Sequence, residues 1–292
     1  MKINELLEKI KDYAITKNYN IYDVAACTRK QNITSITINK KEELPDSYSV
    51  AKAFCVCAIG MLYDEGRIDV TTPITTVLRK YINYDYTKTW DIITIHNCLK
   101  HRLGIKEGTL DIDCNNPSIF GDDYLKYVMN EKFVYEPAKD FIYTDAAFYL
   151  ISRIIYELAG MDVEDYLREK LFKPLRIENE IWKKCPYGYS MGATGLYMSS
   201  YDTVKLPALY LNDGVWKNER LLSHEWMELL DKYQYENYYT EENGWRQKGG
   251  MLGQMVMYNN DYDCAISWHG HGNFGAEIRQ FVFDLVKEKI ED

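Results

Sequence analysis

The chain has 292 residues, 46% hydrophobic and 27% charged, a composition that excludes a disordered protein and allows a large buried core. Its net charge of −9, with acids and bases interspersed rather than blocked, argues against nucleic acid or an anionic membrane as a partner. The longest apolar run, Ala53 to Tyr63, is too short to span a bilayer. The N-terminal stretch is charged and amphipathic rather than signal-like, so a cytoplasmic protein without a membrane partner is expected.

In chain order, residues 2–17 place Leu6, Leu7, Ile10 and Tyr13 on one side of a predicted helix. Ile21 to Cys27 reads as a strand, and Ile33 to Ile38 alternates apolar and polar residues as a half-buried strand does. From Pro45 a turn leads into a helix that is apolar on nearly every face and ends near Gly66, a suitable C-terminal cap. Ile68 to Ile74 turns into a short helix. Thr94 reads as an N-cap for a helix stopped by Gly104. Residues 105–121 are polar and loop-like, the best candidate for an exposed or lid segment.

Helical periodicity returns at Asp122 to Met129, Asp145 to Leu158 and Val163 to Leu171. A glycine-punctuated turn, Gly192 to Ser200, precedes a helix at Tyr201 to Leu211. Met251 to Tyr258 and Cys264 to Trp268 are strands, and Phe274 to Ile290 closes the chain as an amphipathic helix. Strands at both ends around a helical middle predict an α+β fold: one antiparallel sheet built from both termini, flanked by helices, with an inserted helical lobe. The expected organisation is a single domain, with an α/β lobe at about 1–60 and 190–292 and a helical lobe at about 61–189.

Seven cysteines, at 27, 55, 57, 98, 114, 185 and 264, are odd in number and scattered. Cys55-Val56-Cys57 has the wrong spacing for a Cys-x-x-Cys redox or zinc motif. All seven read as reduced packing residues. His269 and His271 lack a matching cluster of metal ligands and read as structural or turn residues; His96 and His101 read as helix-surface or packing residues.

Ser49 and Lys52 stand out in the apolar helix beginning near Pro45. Three residues apart, they share a helix face, and a lysine buried there costs free energy unless paired or used. Serine needs a base to become a nucleophile. Burial that lowered the lysine from about 10.4 toward neutrality would supply one. A single Ser-x-x-Lys is weak evidence, because on the order of one is expected by chance in a chain with ten serines.

Further segments follow it in order. Phe141-Ile142-Tyr143-Thr144-Asp145 precedes a long helix and resembles the Tyr-x-Asn element of the class C β-lactamase-like group. Gly60 through Asp69, Ile95 through Ile105, Tyr166 through Leu175 and the turn Gly192-Ala193-Thr194-Gly195-Leu196 are similar to the same group. The chain thus resembles the serine β-lactamase and penicillin-binding protein family, most clearly over residues 45–210. Three features depart from its pattern: Asp145 replaces the asparagine, Lys248-Gly249-Gly250 lacks the hydroxyl of Lys-Thr-Gly, and the chain is shorter than many relatives.

The resemblance implies that Ser49 becomes acylated, Lys52 accepts its proton and Tyr143 relays protons to the leaving group. It implies an oxyanion hole from backbone N–H groups of Ser49 and a residue after Gly250. Lys248, with Gly249 and Gly250, would meet a substrate carboxylate or shape the local field; Asp145 would bind a substrate amine or pair with Lys52. A serine hydrolase acting on an ester, amide or β-lactam of a small molecule or short peptide is expected, with no cofactor and no metal. Without an export signal, an esterase or small-amide hydrolase is favoured over a true β-lactamase. The alternative is a catalytically altered relative that binds peptide or acyl ligands in the same cleft.

Overall fold

Two stretches far apart in sequence supply one sheet. The computed structural model describes residues 1–236 and 243–292, together with the backbone of 238–239. Helix α1 (Ile3–Thr16) leads to strands β1 (Ile21–Cys27) and β2 (Thr34–Thr37). The late strands are β3 (Tyr238–Tyr239), β4 (Arg246–Gly249), β5 (Met255–Asn259) and β6 (Cys264–Gly270). Their order is β2-β1-β6-β5-β4-β3, antiparallel at every pairing. The α+β architecture with a sheet built from both termini is therefore present.

Alternation along the strands sorts side chains to two faces. Val24, Ala26, Met255, Met257, Ile266 and Trp268 pack under α1 and the C-terminal helix, Gly275–Leu285. Ala25, Cys27, Val256, Tyr258 and Ala265 face the larger core around helix α2 (Ala51–Asp64). Ser267, His269 and Lys248 share this second face, since Ala25 pairs with Ser267, Asp23 with His269 and Lys248 with Val256. Helix α2 is buried from Ala51 through Leu62, as an all-apolar helix must be. It lies against helix α3 (Asp145–Ala159), whose apolar residues are buried from Ala146 through Ile155.

Several local expectations shift for physical reasons. The segment 105–121 is no free lid: Ile105, Leu110, Ile112 and Phe120 are buried, fastening it to the helical side. Lys248 and Gly249 lie in a strand of their own, β4, and residues 250–254 turn before β5 begins at Met255. The predicted helix at Val163 to Leu171 runs as Val163–Leu167, widens through a π turn at Arg168–Phe172 and ends at Leu175. Six cysteines are buried and reduced, whereas Cys114 is exposed. No described helix is long and apolar enough to cross a membrane.

Candidate active site

Ser49 sits one step before α2, in a 3₁₀ turn at Tyr48–Val50 rather than in the helix proper. Tyr48 holds a left-handed backbone, φ +46°, which costs a bulky residue free energy and persists only where surroundings enforce it. Asp46 helps by accepting the Tyr48 N–H at 2.8 Å. The turn brings the Ser49 side chain to a cleft of about 400 Å³ lined by Asp111, Asp113, Tyr143, Asp145, Lys248 and Met251.

Four of the predicted site residues converge on one point. The fully buried Lys52 ammonium donates to Ser49 Oγ at 2.9 Å, Asp145 Oδ1 at 2.8 Å and the Ala193 carbonyl at 2.9 Å. The Tyr143 hydroxyl donates to the same Ser49 Oγ at 2.9 Å. Tyr143 and Asp145 arrive together because Thr144 caps α3, its Oγ1 accepting from Ala146 N and donating to the Thr109 carbonyl. Ala193 comes from the glycine turn, where Gly192 lies so close to helix α3 that a Cβ would meet the Phe148 carbonyl at 2.4 Å.

The expectation that burial makes Lys52 a neutral base is corrected. Burial does press its pKa down, but Asp145, with Tyr143 and Glu236, outweighs that effect and the net direction is upward. Three N–H donors find three acceptors, the arrangement of a saturated ammonium. Lys52 in the resting site is a proton donor.

Lys248 enters from β4, 3.4 Å from the Tyr143 hydroxyl. Its charge is shared with Glu236, which forms a close ion pair with it and accepts from His101 Nε2 at 2.6 Å. Burial presses the Glu236 carboxyl upward, yet Lys248 and His101 prevail and hold it well below the usual carboxylate range. His101 Nδ1 accepts from the Thr144 N–H, so the ring is neutral with its proton on Nε2. Burial lowers its pKa in agreement, against the opposing pull of Glu236. The same ring stacks on Tyr143, centroids 4.4 Å apart. His101 is therefore a site residue, and neither it nor Glu236 is visible in local sequence spacing.

Gly250 is required by close approach: a Cβ there would meet Gln254 Oε1 at 2.6 Å and the Ser47 carbonyl at 2.8 Å. Gly249 has more room, with Met255 Cε the nearest atom at 3.3 Å. On the opposite wall, Asp111, Asp113 and Asp145 bring carboxylate oxygens within 4.8 Å of one another. Such a set could hold a cation, but Lys52 already takes one Asp145 oxygen and Thr194 donates to Asp113. Burial, reinforced by Asp145, raises the Asp113 pKa despite that hydrogen bond.

A serine at the start of a buried helix, with strand β4 of the antiparallel sheet on one side and helices on the other, defines a protein of the β-lactamase/transpeptidase fold class. A family model described as Beta-lactamase matches residues 28–287, and the chain belongs to that family. A Staphylococcus aureus (strain MRSA252) relative named teichoic acid D-alanine hydrolase is 23% identical over 257 residues, 78% of this chain and 62% of that protein. A Bacillus subtilis (strain 168) relative, named provisionally as penicillin-binding protein PbpX, is 27% identical over 181 residues, 54% of this chain and 44% of its own length. The chain thus spans less than two thirds of either relative.

Solved structures share the fold at low identity. An octameric penicillin-binding protein homologue from Pyrococcus abyssi superposes with a TM-score of 0.71 at 16% identity, covering 99% of this chain and 78% of that one. A D-stereospecific amidohydrolase from Streptomyces sp. does so at 0.68 and 14%, covering 97% and 98%.

Proposed function

We propose that this hydrolase works through an acyl-enzyme on Ser49. The observation that carries the reading is one oxygen, Ser49 Oγ, held at 2.9 Å by both Lys52 Nζ and Tyr143 OH at the floor of an open cleft. Oγ attacks the substrate carbonyl carbon and its proton passes to Lys52 Nζ while Lys52 hands one of its own to Asp145 Oδ1, 2.8 Å away. The carbonyl oxygen takes up negative charge for which backbone N–H groups of Ser49 and of a residue after Gly250 would be the donors, and the start of α2 favours that charge. When the bond to the leaving group breaks, Tyr143 donates its hydroxyl proton to that group; Lys52 passes the proton taken from Ser49 on to Tyr143 and recovers its own from Asp145. Water then attacks the acyl carbon, and the same relay returns a proton to Ser49.

The cleft also speaks to substrate charge. Among the described residues that line it, Asp111, Asp113 and Asp145 outnumber the one cation, Lys248, and Asp145 and Lys248 are already paired with Lys52 and Glu236, an acidic balance that favours an acyl donor carrying an amine. D-Alanine, the group named in the S. aureus relative, carries such an amine. Treatment with a fluorophosphonate, followed by peptide mass analysis, is expected to place the adduct on Ser49 and on nothing in Ser49→Ala. No adduct, together with unchanged ester hydrolysis in Ser49→Ala, would sink the reading and leave a ligand-binding relative. A panel of aminoacyl esters, short-chain esters and a chromogenic cephalosporin sorts the activity by substrate.

A further inference from the structure

His269 lies outside the cleft and takes no part in the relay above, yet it is buried within a chain of polar side chains that ends at the nucleophile's turn. His269 Nε2 lies 3.2 Å from Ser47 Oγ, and Nδ1 lies 2.9 Å from Ser200 Oγ. Ser200 in turn gives its hydroxyl to Asp23 Oδ1 at 2.7 Å and its backbone N–H to Asp23 Oδ2 at 3.0 Å. A serine has one hydroxyl proton. With that proton on the Asp23 carboxylate, Ser200 Oγ must accept from His269 Nδ1–H, which leaves Nε2 bare to accept from Ser47. The four residues thus form one directed chain. His269 is fully buried, and that burial, helped by Lys41, keeps the ring neutral as the chain needs, its pKa pushed down to about 3.

Ser47 is where the chain acts. Its N–H is fixed by the Leu196 carbonyl at 2.8 Å, and its own carbonyl accepts from Val50 N at 3.1 Å across the turn that contains Ser49. The same carbonyl packs against Gly250 at the end of β4. Two residues further on stands Ser49, reached through the left-handed Tyr48. A strained turn keeps its shape only while its ends are held, and the hydroxyl of Ser47 is the hold that comes from the sheet.

We propose that His269 is a positioning residue for Ser49, acting through Ser47: the chain Asp23–Ser200–His269–Ser47 locks the turn that aims Ser49 Oγ between Lys52 and Tyr143. The inference rests on the serine-hydrolase reading, and the experiment separates the two. Fluorophosphonate labelling of Ser49 is followed as a second-order rate, resolved into initial binding and chemical step, beside a thermal melt.

Ser47→Ala is expected to slow the chemical step by about tenfold or more with initial binding unchanged, as a misaimed nucleophile does. His269→Phe is expected to match it. His269→Gln, whose side-chain amide can still accept from Ser47, is expected to stay within about threefold of the parent rate. The double variant Ser47→Ala/His269→Phe is expected to be no slower than Ser47→Ala alone, because both changes break one chain.

A folded Ser47→Ala that labels at the parent rate overturns the proposal, and so do losses that multiply in the double variant. If His269→Phe does not fold, Ser47→Ala and the His269→Gln rescue decide the matter alone. An unlabelled parent protein overturns the hydrolase reading itself, and the positioning role with it.

Discussion

Asp145→Asn restores the amide expected of the resemblance and tests what the carboxylate does. The perturbation removes a negative charge 2.8 Å from a fully buried ammonium. At an effective dielectric of about 20 that attraction amounts to about 6 kcal/mol. The new amide oxygen still accepts a hydrogen bond from Lys52, which gives back about 2 kcal/mol. The net loss expected at neutral pH is therefore about 4 kcal/mol, within the range for breaking a buried pair by removing one partner.

The pH dependence gives the sign. In the parent protein the Lys52 pKa is raised above its unfolded value, so its contribution is complete below about pH 10 and is lost only as pH climbs through the native value. In the variant, burial dominates and places the native value below the unfolded one. Stability then rises with pH by up to about 1.4 kcal/mol per unit as the amine sheds its proton. Urea unfolding at pH 7 and pH 9 reads both quantities. A difference below about 1 kcal/mol at pH 7, or one that does not shrink by pH 9, refutes the account of Lys52 as a pinned ammonium.

Other consequences are as specific. Gly250→Ala drives a Cβ against the Ser47 carbonyl and Gln254, and is expected to cost about 1–3 kcal/mol in thermal unfolding and to slow Ser49 labelling at least as much as Ser47→Ala. Glu236 is held below its ordinary range, so its contribution is complete above about pH 4.3 and lost as pH falls; Glu236→Gln should remove that acid-side slope and cost about 3–5 kcal/mol at pH 7. His269 is pushed down to about 3, so stability should climb between about pH 3 and 6.5 by about 1.4 kcal/mol per unit, a component absent from His269→Gln in denaturant titrations across that window. Asp113→Asn should narrow the preference for an aminoacyl ester over its N-acetylated counterpart, read as the ratio of kcat/KM values; an unchanged ratio would falsify the role given to the acidic wall.

What the sequence disclosed follows the range over which each signal acts. Ser49 and Lys52 are three residues apart, and Tyr143 opens a strongly periodic helix, so local spacing and ordered resemblance were enough to name them. The sheet was legible for a similar reason: β1, β5 and β6 are apolar runs closed by turn residues. Strand β4 was not, because Arg246-Gln247-Lys248-Gly249 carries neither β-branched residues nor apolar alternation, and it is held in the sheet by its neighbour β5. His101 and Glu236 are separated by 135 residues and meet only in the fold. Asp113 likewise lies in a loop whose polar sequence suggested exposure, while Leu110 and Ile112 beside it are buried and set its place on the cleft wall. Lys52 differs in kind. An apolar helix predicts a desolvating environment, but the buried lysine's partner is supplied by a different helix, and pairing reverses the direction of the shift.

That reversal also gives the aspartate at 145 a definite meaning. An amide beside Lys52 would accept one hydrogen bond without carrying charge, and burial would then favour the neutral amine. The carboxylate keeps the proton on Lys52 and offers it a second place to go, 2.8 Å away. In the proposed mechanism Ser49 therefore faces a donor at rest and gains a base only when a proton crosses to Asp145. Such a crossing neutralises both charges of a buried pair at once, so it becomes easier as the pair loses water, and the Ser49 proton that drives it is shed more readily as Oγ bonds to the carbonyl carbon. Filling the cleft does the first and attack does the second. Under the proposed mechanism the aspartate that keeps the resting serine quiet would thus tie its activation to an occupied site, and an amine on the acyl group would strengthen the tie by countering the remaining carboxylates, Asp111 and Asp113. On this argument poor substrates lacking the amine lose rate in the acylation step more than in binding, which pre-steady-state acylation of paired aminoacyl and N-acetylated esters measures directly. Equal acylation rates for the two, with the whole difference in affinity, would break the link between the aspartate and the chemistry.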